Sequence, residues 1–159
     1  MLLRIGGFIV IPNDYCAFGH IDGHFYRSLI RYASLHCQSF SFTKFKGIRY
    51  KTTAIELERR LQPFQNHNFF GLGTIGNYQT GSKVIQYYLC PETVDVLKEC
   101  TEIFEWQSPE LLDDLILYIG KHYWIRSVSH EEMLFVNPLF SEHNQWLKQN
   151  LNITIPETF

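Results

Sequence analysis

Two histidines near the amino terminus have a spacing that could bind a metal ion. His20 and His24 are four residues apart, and on an α-helix such residues share a face, as zinc ligands do. Gly19 and Gly23 disfavour a helix here, and the glutamate that defines the zinc-protease motif is missing. We therefore expect solvated or capping histidines, and no metal centre. The other histidines have no recognisable ligand spacing: His36, His67, His122, His130 and His143.

A glycine-rich stretch between residues 66 and 82 matches part of a dinucleotide-binding motif. Gly71, Gly73 and Gly76 have the spacing G-x-G-x-x-G. That motif also needs a strand before it, a helix after it and an acidic residue about twenty positions further on. The sequence Asn-Tyr-Gln-Thr-Gly-Ser that follows does not start a convincing helix. We therefore predict a mobile loop here and no bound cofactor.

Two places in the chain set a nucleophilic residue beside a histidine. Ser129-His130-Glu131 supplies the three residue types of a serine hydrolase, and Cys37 follows His36. Neighbours in a strand point to opposite faces, so adjacent residues cannot form that arrangement directly. A residue distant in the sequence could complete either site, which leaves a hydrolase open as an alternative. We predict no enzyme, with His130 and Glu131 structural and His130 hydrogen-bonded in the interior.

Composition favours one folded domain outside the membrane. The 159 residues are 45% hydrophobic and 16% aromatic, which is typical of globular proteins and not of disordered chains. The apolar start is interrupted by glycines and Pro12, and no segment approaches the ~18 apolar residues of a membrane span. We expect a single cytoplasmic domain covering residues 1–159. The four cysteines have no C-x-x-C spacing, and we expect free, buried thiols: Cys16, Cys37, Cys90 and Cys100.

The pattern of apolar residues predicts an α+β fold, a mainly antiparallel sheet with about three to four helices packed on it. Apolar residues at helical spacing predict helices over residues 23–37, 92–105 and 141–151, and a capping-box pattern at Thr53 predicts another that ends near Leu61. Gly120-Lys121 can close a tight hairpin, which favours antiparallel neighbours. The predicted strands cover residues 2–11, 38–50, 84–90, 115–119, 122–129 and 133–136.

Charge is distributed unevenly along the chain. Residues 1–62 contain nine Lys or Arg and four Asp or Glu, a balance of +5, whereas residues 63–159 contain five and twelve, a balance of −7. A run of charge is most simply a solvated helix face. Like charges three or four residues apart destabilise a helix, so a run of carboxylates with this little opposing charge needs another explanation. It also fits an anionic surface that steers a cationic partner protein. The predicted partner-binding residues are Glu92, Asp95, Glu99, Glu102, Glu105, Trp106, Glu110, Asp113, Asp114 and Tyr118.

Residues 104–137 carry a resemblance to a class of proteins. Their order is a Trp, a Pro-Glu turn, an apolar segment that ends in Tyr, a Gly-centred hairpin, a Trp-bearing strand and Ser-x-Ser-His-Glu before the next strand. This order resembles small bacterial immunity proteins encoded beside polymorphic or contact-dependent toxins. The stretch covers about a fifth of the chain, and no particular toxin class follows from it.

The resemblance implies a cytoplasmic protein that binds a toxin's catalytic domain and blocks its active site without catalysis of its own. Nuclease toxins are often cationic because they hold phosphates, so an acidic surface can compete for the same cleft. The implied partner is therefore a cationic toxin domain, with no direct binding to nucleic acid. The alternative is a small hydrolase or a small-molecule-sensing domain with a concave, partly apolar pocket.

Overall fold

The computed structural model describes residues 3–5, 8–10, 15–69 and 82–156, which form an α+β fold. The helices are α1 (Gly23–His36), α2 (Thr52–Leu61), α3 (Pro91–Leu97) and α4 (Ser141–Asn150), with 3₁₀ turns at Gln62–Phe64, Ile103–Glu105 and Ser129–Glu131. The strands are β1 (Leu3–Ile5), β2 (Phe8–Val10), β3 (Tyr15–Gly19), β4 (Ser39–Lys44), β5 (Lys83–Tyr88), β6 (Asp113–Ile119), β7 (His122–Val128), β8 (Met133–Val136) and β9 (Ile153–Thr154).

Seven of these strands form one sheet in the order β5-β4-β6-β7-β8-β3-β9. Every neighbouring pair is antiparallel, which confirms the predicted sheet type. The hairpin between β6 and β7 turns at Gly120, whose φ of 59° lies in the left-handed region that glycine adopts without steric cost. β1 and β2 form a separate antiparallel pair, where the sequence predicted a single strand.

The two faces of the sheet pack differently. Side chains alternate along each strand, so Phe40, Phe42 and Trp124 enter the main core together with the buried faces of the four helices. The opposite face carries a smaller apolar cluster of Ile116, Tyr118 and Tyr123. Helices therefore cover one face of the sheet, as an α+β architecture requires.

Local sequence signals place α1 and α4 correctly. Tyr26, Leu29, Ile30 and Ala33 form the buried stripe of α1, because residues three or four apart share a helix face. His36, in the last turn of α1, is exposed. Helix α2 also forms where predicted, but its N-cap is Lys51 and no side chain caps it.

The predicted helix over residues 92–105 is wrong in its second half. Helix α3 ends at Leu97, and a 3₁₀ turn follows at Ile103–Glu105. The intervening backbone is held from outside, because Gly23 N–H donates to Thr101 O at 2.7 Å and Ile103 N–H donates to Ile21 O at 3.1 Å. These tertiary hydrogen bonds replace the helical ones that the local pattern predicted.

The predicted mobile loop from Gly71 to Gly81 lies outside the described residues. Among the residues that the structure describes, none of the helices is both long and apolar enough to cross a bilayer.

Candidate functional site

Three carboxylates of the predicted acidic surface stand on the outside of the fold. Glu92 lies in the first turn of α3, and Asp95 is on the same helix with 81% of its side chain exposed. Glu102 is half-buried in the segment after α3, and its backbone forms an antiparallel bridge with that of Asp22, which is exposed. Lys98 is 4.0 Å from Asp95. These residues, Glu92, Asp95, Glu102 and Asp22, are called the acidic surface below.

Two more of the predicted carboxylates are neutralised by basic residues from the first half of the chain. Arg60 of α2 holds Glu99 with two hydrogen bonds, one of them 3.0 Å from Nη1 to Oε2. Lys51 Nζ lies 2.5 Å from Glu110 Oε1. The nearby cations lower the pKa of both carboxyl groups. The separation of charge along the sequence is therefore partly cancelled in three dimensions.

The carboxylate of Glu105 is occupied by hydrogen bonds from the backbone. Its Oε1 accepts hydrogen bonds from Thr101 N–H at 2.6 Å and Glu102 N–H at 2.9 Å, as well as from the Thr101 hydroxyl. Both N–H groups lie at the start of the 3₁₀ turn Ile103–Glu105, where backbone donors have no partner within the turn. Glu105 therefore stabilises the turn that presents Glu102.

The other four predicted residues lie in the interior. Trp106 and Tyr118 are 1% and 0% exposed, so neither is a surface anchor. Trp106 Nε1 donates to the Tyr26 hydroxyl at 3.0 Å, and Tyr118 is hydrogen-bonded to Ser41. The sequence pattern missed this burial because the rings that cover these side chains come from distant parts of the chain: Phe42 lies 4.7 Å from Trp106, and Phe69 lies 5.6 Å from Tyr118.

Asp113 and Asp114 are also buried, and each one fixes a turn. Asp113 accepts from Ser108 N–H at 2.9 Å and from the Tyr50 hydroxyl at 2.8 Å. Asp114, with a left-handed φ of 58°, accepts from Ser129 N–H at 2.8 Å. Burial raises the pKa of both carboxyl groups, that of Asp114 to about 6. These two acids are structural residues and not part of the acidic surface.

Two clefts lined by residues of helix α2 also contain predicted partner-binding carboxylates. One of about 470 Å³ lies between α2 and the segment around Glu99 and Glu105. Glu56 is paired with Arg59 and Glu99 with Arg60, and Glu105 accepts hydrogen bonds from backbone N–H groups. The other, of about 800 Å³, lies beside the start of α2, where Lys51 is paired with Glu110. The carboxylates that line these two clefts are therefore already engaged within the protein.

The Ser-His-Glu sequence forms a 3₁₀ turn instead of a strand. Ser129 is 1% exposed, whereas the side chain of His130 is 49% exposed and its Nε2 lies 3.6 Å from Glu131 Oε1. The predicted interior position of His130 is therefore wrong, because the turn directs it outward. Burial raises the pKa of the Cys37 and Cys100 thiols to about 12, so these cysteines are poor nucleophiles near neutral pH.

The fold also brings together two histidines that no spacing in the sequence would pair. His36 of α1 and His143 of α4 have ring centroids 5.2 Å apart. The Tyr32 hydroxyl lies 2.9 Å from His143 Nδ1, and the Tyr32 ring stacks on Trp146 at 3.8 Å. In the described part of the chain, no three His, Cys, Asp or Glu side chains are grouped as metal ligands. Of the pair with suggestive spacing, His20 precedes α1 and His24 lies in its first turn, and both are exposed.

No family model matches this chain, and neither the curated proteins nor the solved structures include a match to it.

Proposed function

We propose that this protein is a non-enzymatic immunity protein that acts in the cytoplasm, binds a cationic toxin domain and occludes its active site. The resemblance of residues 104–137 to immunity proteins supports this function. The observation that carries it is the acidic surface. Within the described residues, Glu92 and Glu102 have no Lys or Arg within salt-bridge distance, and Asp95 has only Lys98, at 4.0 Å.

The arrangement suits recognition of a basic protein. Carboxylates that are paired inside their own molecule, such as Glu99 and Glu110, attract a partner weakly because a nearby cation cancels their field. Carboxylates that are exposed and unneutralised steer a cationic partner and accelerate association, which weakens steeply as salt is added. The acidic surface has this second character.

Growth protection tests the function directly. The gene immediately upstream is expressed in a bacterial host, alone and together with this chain, and colony formation is counted. We expect toxicity from the neighbour alone, rescue by co-expression, and a stable complex of the two purified proteins. A harmless neighbour, or toxicity that this chain leaves unchanged, would contradict the proposal and favour the small-molecule alternative.

Charge reversal tests the surface once the partner is purified. The double variant Glu92→Lys with Asp95→Lys should slow association at least about tenfold at low salt, because both charges lie in the steering field. The variant Glu132→Lys with Glu142→Lys changes the net charge equally at exposed positions outside the acidic surface and is the matched control. Equal association rates for both variants would remove α3 from the interface.

Arg60→Ala is a complementary variant. Removing Arg60 leaves the exposed Glu99 without its cation, so negative charge increases beside α3 without any new acidic residue. We expect faster association with the same partner at low salt and little change in stability, because exposed ion pairs contribute only about 0–1 kcal/mol. Slower association would mean that Arg60 itself contacts the partner.

A further inference from the structure

His36 and His143 lie side by side although 107 positions separate them in the chain. We propose that they form a binding site for a transition-metal ion with a preference for imidazole, such as Zn²⁺ or Ni²⁺. The bound ion would link helix α1, which carries His36, to helix α4, which carries His143. This inference is independent of the proposed function.

The spacing of the two rings fits a shared metal ion. Zinc binds imidazole nitrogen at about 2.0–2.1 Å, which places the centre of each ring roughly 3.2 Å from the metal. At a tetrahedral angle, two such rings have centres roughly 5 Å apart. The observed centroid separation is 5.2 Å, with the ring planes inclined at 61°. The two rings therefore stand at the separation of a shared ion without a change in the helix positions.

Tyr32 provides the orienting contact that metal-binding histidines normally have. Its hydroxyl is 2.9 Å from His143 Nδ1, so a proton on Nδ1, donated to the Tyr32 oxygen, leaves Nε2 with a lone pair for the metal. The Tyr32 ring lies between Trp146, at 3.8 Å, and His36, at 4.2 Å. This stack restricts the rotation of His36 as well as that of Tyr32.

The site is open to an ion from solution. His36 is exposed and His143 half-buried, so solvent can fill the remaining positions of the ion. With two protein ligands, the site is expected to bind reversibly and to fasten α4 onto α1.

Isothermal titration of the full chain with Zn²⁺ and with Ni²⁺ near neutral pH tests the site, and Cu²⁺ serves as a fluorescence probe. We expect one ion per chain, and quenching of tryptophan emission by Cu²⁺ because Trp124 lies 5.6 Å from the His143 ring. His36→Ala, at an exposed position, should weaken affinity at least about tenfold, and Tyr32→Phe by about tenfold, as is typical of outer-shell partners. Mg²⁺, which prefers oxygen ligands, should not bind.

Two further variants distinguish a metal site at His36 and His143 from nonspecific binding of metal ions by other histidines. His143→Gln should lose Cu²⁺ quenching, and its circular dichroism checks that the helices persist. The double variant His20→Ala with His24→Ala removes the two histidines that are four positions apart in the sequence and should bind as the wild type does. Unchanged affinity in His36→Ala, or loss of binding in the His20 and His24 variant, would overturn the proposal.

Discussion

Asp114 should make the stability of this protein depend on pH in a defined direction. Its carboxyl group is 3% exposed, and burial raises its pKa from the ordinary value of 3.8 to about 6. Asp113 raises that pKa further, while the Ser129 N–H, His130 and Arg126 lower it. Because the folded protein holds this proton more tightly than the unfolded chain, the stabilising contribution is complete below about pH 3.8 and is lost as the pH rises through about 6.

The magnitude follows from the same values. One pKa unit corresponds to about 1.4 kcal/mol, so the whole effect is about 3 kcal/mol, of which about 2 kcal/mol falls between about pH 4.5 and about pH 7.5. Asp114→Asn removes this dependence while it keeps an oxygen that can accept from Ser129, and asparagine tolerates the left-handed φ of this position.

Urea unfolding of both proteins across that pH range is the assay. We expect the free energy of unfolding of Asp114→Asn, minus that of the wild type, to rise by about 2 kcal/mol from about pH 4.5 to about pH 7.5. Any constant offset from the new amide cancels in this comparison. Asp95→Asn makes the same change at an exposed carboxylate and controls for the loss of one charge. A flat difference, or one that falls with pH, would contradict a raised pKa for Asp114 in the folded protein.

Two other substitutions test the contacts that close the fold. A Cβ at Gly19 would lie 2.2 Å from Asn152 O, and the φ of 134° is unfavourable for other residues. Gly19→Ala should therefore lower the free energy of unfolding by roughly 2 kcal/mol or more in urea and speed hydrogen exchange in β9. Gly47→Ala is the control and should have a smaller effect, because φ is also positive there but a Cβ has open space. Tyr26→Phe removes the hydrogen bond to Leu97 O at 2.7 Å and leaves Trp106 Nε1 without its acceptor. The variant should therefore lower the thermal midpoint and reduce the free energy of unfolding by about 1–3 kcal/mol. An unchanged midpoint would mean that these hydrogen bonds contribute no net stability.

Patterns within one element were sufficient for much of the fold. Helices α1 and α4 begin and end within a residue of the predicted ranges, 23–37 and 141–151. The β6–β7 hairpin also forms at Gly120 as predicted. In each case the signal is local, a periodicity of apolar residues or a glycine in a tight turn, so the residues that decide the structure are close together in the chain.

Where the structure differs from the sequence prediction, contacts between distant segments are the cause. The residues after Leu97 kept the apolar spacing of a helix, yet backbone bonds to residues 21 and 23 hold them in another conformation. Local periodicity cannot report on such bonds, because their partners lie some eighty positions away. The same limit applies to Trp106 and Tyr118, whose apolar rings suit both a core and an interface.

Local sequence patterns were enough to predict the fold class, the positions of most helices and strands, and the concentration of carboxylates in the second half of the chain. Which of those carboxylates remain unneutralised depends on tertiary contacts, because Arg60 and Lys51 reach Glu99 and Glu110 across the fold. The proximity of His36 and His143 also arises only from the packing of α1 and α4. Charge and ligand geometry depend on distances in space, and packing of the helices on the sheet sets those distances between residues that are remote in the chain.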